Sequence, residues 1–143
     1  MEMDVRSIFR LWIPLAAGLV VLGWAYQAAP GSRGPVRLLG LLLGAIGLAG
    51  VILARHTLGN SFSAIPKATA LVTTGIYSRI RNPIYLSGMV FLLGIVLILR
   101  RPELLLIIVL LIPVQIFRAR REAAVLEAKF GDAYREYRKG TWF

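Results

Sequence analysis

Four stretches of this chain carry no charged side chain, and they limit its fold more than any other feature. They run over Leu11–Ser32, whose apolar part ends near Tyr26, then Leu38–Ala54, Asn82–Leu99 and Leu104–Phe117. A membrane-spanning helix needs about 20 apolar residues, roughly 17 at the low end. The first three stretches meet that length. The fourth has 14 residues, about 21 Å at ~1.5 Å per residue. It spans only if Arg118 and Arg120 reach back to the interface or if the helix tilts little. The reading is an all-α integral membrane bundle of about four transmembrane helices, spanning near 11–28, 37–54, 83–99 and 103–117. A chain of 143 residues holds one domain. A mean hydropathy of +0.71 and 17% charged residues are both unlike a soluble domain. The first stretch does not read as a signal peptide, because Glu2 and Asp4 stand among the leading arginines and the apolar run is long.

Arg100-Arg101-Pro102-Glu103 joins the third and fourth stretches. Proline suits the first turn of a new helix, and a glutamate suits its positive end. The two stretches therefore read as a tight helical hairpin. With four spans, the N-terminus, the loop over 55–81 and the C-terminal tail share one side. That side holds 13 of the lysines and arginines, against 4 on the other. By the positive-inside rule both termini are cytoplasmic, and the reading is a multi-pass protein of a prokaryotic cell membrane.

The net charge of +10 is thus an orientation signal and an attraction to anionic lipid. It does not read as nucleic-acid binding, since no stacking aromatics alternate with the basic residues. The chain has no cysteine and one histidine, His56. Thiol nucleophiles and Cys-ligated metals are excluded, and a His-rich metal site or a His-based triad is disfavoured. A proton-coupled exporter needs an ionisable group at membrane depth. None of the four stretches has one; Pro113 and Gln115 are the only irregular or polar features deep in the fourth. Gly40, Gly44, Gly47 and Gly50 form a small-residue face that reads as close helix packing, not as a dinucleotide fingerprint.

Two segments on the cytoplasmic side stand apart, 58–88 and 118–143. In the second, Ala119, Ala123, Leu126 and Phe130 mark an apolar helical face. Gly131 reads as its αL cap and Asp132 as the N-cap of a short amphipathic helix carrying Tyr134 and Tyr137. Arg118 and Glu122 lie four apart, on one face, where a membrane helix leaves the bilayer. Arg81-Asn82-Pro83 opens the third helix at the same membrane surface. A hairpin brings the two groups together.

The run from Leu71 through Gly75, Tyr77, Arg79, Arg81, Asn82, Pro83 and Tyr85 to Gly88 resembles the signature of the isoprenylcysteine carboxyl methyltransferase and phospholipid methyltransferase superfamily. The tail, with Arg118, Glu122, Leu126, Phe130, Gly131, Tyr134 and Tyr137, resembles that superfamily's second block, and Leu58–Ser63 is similar to the stretch before the first. The resemblance covers about 55–143. It implies S-adenosylmethionine as methyl donor, with S-adenosylhomocysteine as product, and a pocket unlike the Rossmann one. Tyr77, Arg81, Asn82, Pro83 and Tyr85 would line the cofactor side. Glu122 would contact the cofactor or the reacting centre, Arg118 would sit beside the acceptor, and Tyr134 and Tyr137 would help close the pocket. The sequence departs from the pattern at Asn82, where many members have His, at Ser78, where Arg is common, and at Ala123, where many carry a second Glu.

The implied chemistry suits these residues. A sulfonium methyl is already activated, so the task is alignment, without metal or covalent nucleophile. Asn82 offers neutral hydrogen bonds, Glu122 offsets a cation, and Arg118 suits a carboxylate or lipid phosphate. A carboxylate acceptor needs no base, whereas a protonated amine would need one, and Glu122 is the obvious choice. The arginine–glutamate block is most similar to the isoprenylcysteine branch. That favours carboxyl O-methylation of an isoprenylcysteine-like compound, with a phospholipid amine as alternative. A non-catalytic membrane adaptor with a basic tail leaves the two paired blocks unexplained. The partners expected are a lipophilic or lipidated substrate and membrane lipids, with neither nucleic acid nor metal.

Overall fold

The computed structural model describes residues 11–29, 31, 34–59 and 70–143. Among the described residues there are five α-helices: α1 (Ile13–Ala28), α2 (Pro35–Leu58), α3 (Pro83–Leu99), α4 (Leu105–Phe130) and α5 (Asp132–Lys139). Single 3-10 turns cover Gly75–Ser78 and Pro102–Leu104. No strand occurs among the described residues, and the protein is an all-α membrane bundle. The leading charges, Arg33, and the part of the first candidate segment over 60–69 lie outside the described residues.

Proline punctuates the helices. Pro35 and Pro83 stand at the first helical position of α2 and α3, where a missing N–H costs nothing. Gly59 closes α2 at φ +52, and Arg100 closes α3 in the left-handed region at φ +55. Pro102 then opens the turn into α4.

The core is the contact of α2 with α3. The glycine face packs backbone to backbone. A Cβ on Gly40 would meet the Gly94 carbonyl oxygen at 2.8 Å, one on Gly47 the backbone of Phe91, and one on Gly94 the backbone of Gly44. Gly18 and Gly44 do the same for leucine side chains, receiving Leu48 and Leu22 between α1 and α2. Leu22, Ala25, Ala29, Leu48 and Ile98 form the buried cluster. The glycine reading holds, with α3 as the partner. The hairpin turn also holds, but α3 packs far more extensively on α2 than on α4.

The outer faces are apolar, with Val20 and Leu110 each 70% exposed and Leu106 66%. Patches of that kind would not be stable in water and match hydrocarbon surroundings. Among the described residues, two helical stretches are long and apolar enough to cross a membrane, Pro35–Leu58 and Pro102–Phe130; α1 and α3 are shorter apolar helices. The fourth apolar stretch is therefore not limited by its length. Its helix continues through Pro113 and past Arg118 to Phe130 without a break, because the charges mark a change of surroundings rather than a helix end.

Candidate active site

The cleft forms where α2 ends, α3 begins and the polar half of α4 passes. Pro83, buried at the first position of α3, fixes the preceding Arg81-Asn82 pair outside the helix. The 3-10 turn before it aims Tyr77 inward, leaving that side chain 7% exposed. Gly75 makes this turn possible: its φ is +59, and a Cβ there would press on Thr57 of α2.

From the other side comes the tail. Gly131 bends the chain between α4 and α5 at φ +51 and ψ −120, a combination open only to glycine. It ends α4 and precedes α5, but it is not in the αL conformation expected from the sequence. Asp132 is not the N-cap either. It is the first residue of α5 and makes no capping hydrogen bond; its carboxylate pairs with Arg135 at 3.1 Å, and Arg135 also pairs with Glu127 at 2.8 Å. The bend lays α5 back so that Tyr134 is 3% exposed. Tyr137 donates its hydroxyl to the Tyr77 carbonyl at 2.7 Å, and the rings of Tyr134 and Tyr137 lie 6.2 Å apart and tilted.

The resulting cleft holds about 540 Å3 of space when the open solvent at its mouth is counted. Tyr77, Arg81, Asn82, Glu122, Tyr134 and Tyr137 line it together, with Leu58, Ala70, Leu71, Val72, Ala119, Ala123 and Leu126. Six of the residues singled out in the sequence thus share one cavity. Pro83, Tyr85 and Arg118 do not line it. Pro83 is the buried wedge at its edge. Tyr85 reaches Glu122 from the side of α3, donating its hydroxyl to Oε2 at 3.0 Å. Arg118 is exposed, its guanidinium carbon 5.6 Å from the centre of the Tyr85 ring.

One element of the site left no mark in the sequence reading. Trp142 and Phe143 lie along Arg79–Asn82. The Trp142 N–H donates to the Arg79 carbonyl at 2.7 Å, and Arg81 and Asn82 donate their N–H groups back to Trp142 and Phe143 carbonyl oxygens at 2.9 and 3.0 Å. Ile80 and Trp142 form a parallel bridge. The backbone beside Arg81 is thereby held at both ends.

The electrostatics favour neutral phenols. Burial, with a smaller push from Glu122, raises the Tyr77 hydroxyl far above its usual value. Tyr137 is pushed up to about 12 by burial and by neighbouring Tyr134. Burial also raises Tyr134, against the opposing charge of Arg81. All three are hydrogen-bond donors at neutral pH. The Nε of Arg81 is buried with no partner. No cluster of metal-binding side chains occurs among the described residues.

Residues 36–133 match the family model described as phospholipid methyltransferase. The chain belongs to the phospholipid methyltransferase family. This is part of the integral membrane methyltransferase superfamily that includes the isoprenylcysteine methyltransferases, as the sequence motifs implied. The matched region contains the glycine-packed helices, the Tyr77–Tyr85 segment and Glu122. Membership makes the protein a membrane methyltransferase acting among lipids, and implies lipophilic substrates. No curated protein and no solved structure matches the chain significantly.

Proposed function

We propose that the whole chain is one catalytic domain that transfers a methyl group from S-adenosylmethionine to a lipophilic acceptor at the cytoplasmic membrane face. The observation that carries this reading is the meeting of Arg81, Asn82, Glu122 and three neutral tyrosines in one cleft at the end of the apolar bundle.

The residues fit the cofactor. The unpartnered Nε of Arg81 suits the carboxylate of a bound amino acid moiety, and Asn82 suits its polar groups without altering their charge. Tyr77, Tyr134 and Tyr137 give aromatic surface for an adenine ring or a sulfonium. Glu122 offsets positive charge. When bound, S-adenosylmethionine supplies a methyl carbon already activated by its cationic sulfur. The protein's share is then positioning. Tyr85 holds one oxygen of Glu122 through its hydroxyl, which fixes the carboxylate toward the cleft. Arg118, exposed and beside the Tyr85 ring, can hold an anionic acceptor.

For the acceptor, the Arg118–Glu122 block favours the carboxylate of an isoprenylcysteine-like lipid, which attacks without a base. The family match favours a second reading, a phospholipid amine of the phosphatidylethanolamine type, whose proton Glu122 would take. In both, the chain crosses the membrane several times with its termini in the cytoplasm of a prokaryotic cell. The 13 to 4 distribution of basic residues supports that orientation.

Calorimetric titration with S-adenosylhomocysteine tests the reading. One-site binding that weakens at least tenfold in Glu122→Ala supports it, and absence of binding in several detergent and lipid mixtures overturns it. Labelled methyl transfer separates the acceptors: a methyl ester releases methanol in base, and an N-methyl product does not.

A further inference from the structure

The end of the bundle away from the cleft carries a second polar site. Arg37 lies in the first turn of α2, on the face that Gly40, Gly44 and Gly47 continue toward α3. It is only 6% exposed. Its guanidinium carbon stands 4.2 Å from the centre of the Tyr26 ring of α1. Its Nε is buried and has no hydrogen-bond partner, and none of the ion pairs among the described residues includes it. A buried cation is costly unless its charge and its N–H groups are both met. Stacking on Tyr26 offsets part of the charge and leaves the Nε donor open.

The surroundings are positive. Helical side chains lean toward the helix N-terminus, so Arg37 reaches toward the amino end of α2. That end has no acidic residue in its first turn and no side-chain cap. Although the Arg37 and Leu38 amides are taken up by the Gly34 carbonyl at 3.0 and 3.3 Å, its positive pole meets no counter-charge from its own first turn. Arg100 arrives from α3. The register that sets Gly40 against Gly94 and Ile98 puts Arg37 and Arg100 at the same end of the bundle. The Nη1 of Arg100 runs beside Gly31 of the α1–α2 connection, 3.6 Å from where a Cβ would stand. Neighbouring Arg101 is engaged with Glu103 at 3.3 Å.

We propose that Arg37, Arg100 and the amino end of α2 bind the phosphodiester of a phospholipid in the leaflet opposite the cleft. A guanidinium with an open Nε is matched to a phosphate oxygen. The ligand is a lipid rather than a free anion because apolar side chains flank the site on the outer surface. Trp24 is 62% exposed, and Val36, Leu38 and Leu39 are 48%, 54% and 51% exposed. Acyl chains lie against them while the headgroup reaches Arg37. The site is independent of methyl transfer. α2 has 24 residues, about 36 Å at ~1.5 Å per residue, and the cleft is at its other end.

The test uses the full chain in dodecyl maltoside, with dioctanoyl phosphatidylglycerol as probe. Native mass spectrometry counts retained lipid, and tryptophan fluorescence follows melting. The expected result is one retained lipid and a higher melting temperature in the unaltered protein. Arg37→Gln loses both effects. Arg100→Gln, a change at an exposed residue, weakens lipid binding about tenfold, the scale of one charge-assisted hydrogen bond. Arg120→Gln, at the cleft end, binds as the unaltered protein does. If Arg37→Gln does not fold, Arg37→Lys gives the reading. It keeps the charge and loses the Nε donor, and weaker binding supports the site. Undiminished binding in Arg100→Gln together with either Arg37 variant overturns the proposal. Equal stabilisation by inorganic phosphate overturns its lipid part.

Discussion

Tyr85 of α3 donates its hydroxyl to Glu122 of α4 at 3.0 Å, joining residues 37 positions apart in the sequence. The bond links a helix packed in the glycine core to the wall of the cleft. If Glu122 acts in methyl transfer, Tyr85 is its positioning residue. Tyr85→Phe should then lower kcat about tenfold, the equivalent of ~1.4 kcal/mol. The KM for the methyl donor should move by less than about threefold, because that phenol is outside the cleft. Glu122→Ala and Arg81→Ala should each cost about a hundredfold or more, as loss of a placed charge does. Arg135→Ala should stay near the unaltered rate, since Arg135 is 62% exposed and its ion pairs are on the surface. Labelled methyl incorporation in lipid–detergent micelles measures all four. Near-normal rates in both Glu122→Ala and Arg81→Ala would remove the site assignment.

The second prediction concerns the lid of the cleft. Tyr137→Phe removes the hydroxyl that meets the Tyr77 carbonyl at 2.7 Å and leaves the ring in place. A hydrogen bond of this kind is worth about 1 kcal/mol, so S-adenosylhomocysteine should bind roughly fivefold more weakly by calorimetry. The protein should remain folded, because the Trp142–Arg79 backbone pairing and the bend at Gly131 are untouched. Unchanged affinity would mean that α5 covers the cleft without helping to hold its contents.

Much of this architecture was legible because charge and proline punctuate an otherwise apolar chain. The uncharged runs located the four apolar helical stretches, and Pro35, Pro83 and Pro102 stand where helices or turns begin. The Tyr77–Tyr85 and Arg118–Tyr137 blocks did converge. What escaped the sequence has physical reasons. The spacing of Arg118 and Glu122 gave a shared face and not a shared depth, so one lines the cleft and the other is outside it. Asp132 follows a glycine bend and takes a different partner from the cap its residue type favours. Trp142 and Phe143 pair through backbone groups alone, which leaves no periodic side-chain signal to read.

The glycine contact makes a prediction about stability that is independent of chemistry. Gly47→Ala would drive a methyl group into the backbone of Phe91, and Gly94→Ala into that of Gly44. Backbone cannot rotate aside as a leucine side chain can, so α2 and α3 must separate. Overpacking of this kind costs about 1–3 kcal/mol, and melting in detergent should fall by several degrees. Gly23→Ala and Gly88→Ala are the controls. Nothing lies within 4 Å of a Cβ at either position, and alanine is the better helix former, so both should melt at or slightly above the unaltered temperature. A similar loss in all four variants would show that the effect is not the close contact of α2 and α3.

The last prediction follows from the buried phenols. Tyr137 is pushed up to about 12 from an ordinary 10.0, first by burial and then by Tyr134, and Tyr77 and Tyr134 are also raised. Between pH 10 and 12 the unfolded chain has released these protons while the native state keeps them. The native state then binds more protons than the unfolded state, so stability falls as pH rises. Below pH 10 the contribution is present in full. The melting temperature should therefore be insensitive to these groups between pH 7 and 9 and should drop through the 10–12 window. Phenolate absorbance from the three should be delayed until that drop. Tyr137→Phe removes one of the groups, so its decline across the window should be shallower. A melting temperature that stays constant from pH 10 to 12 would show that the three hydroxyls are not held protonated by the fold.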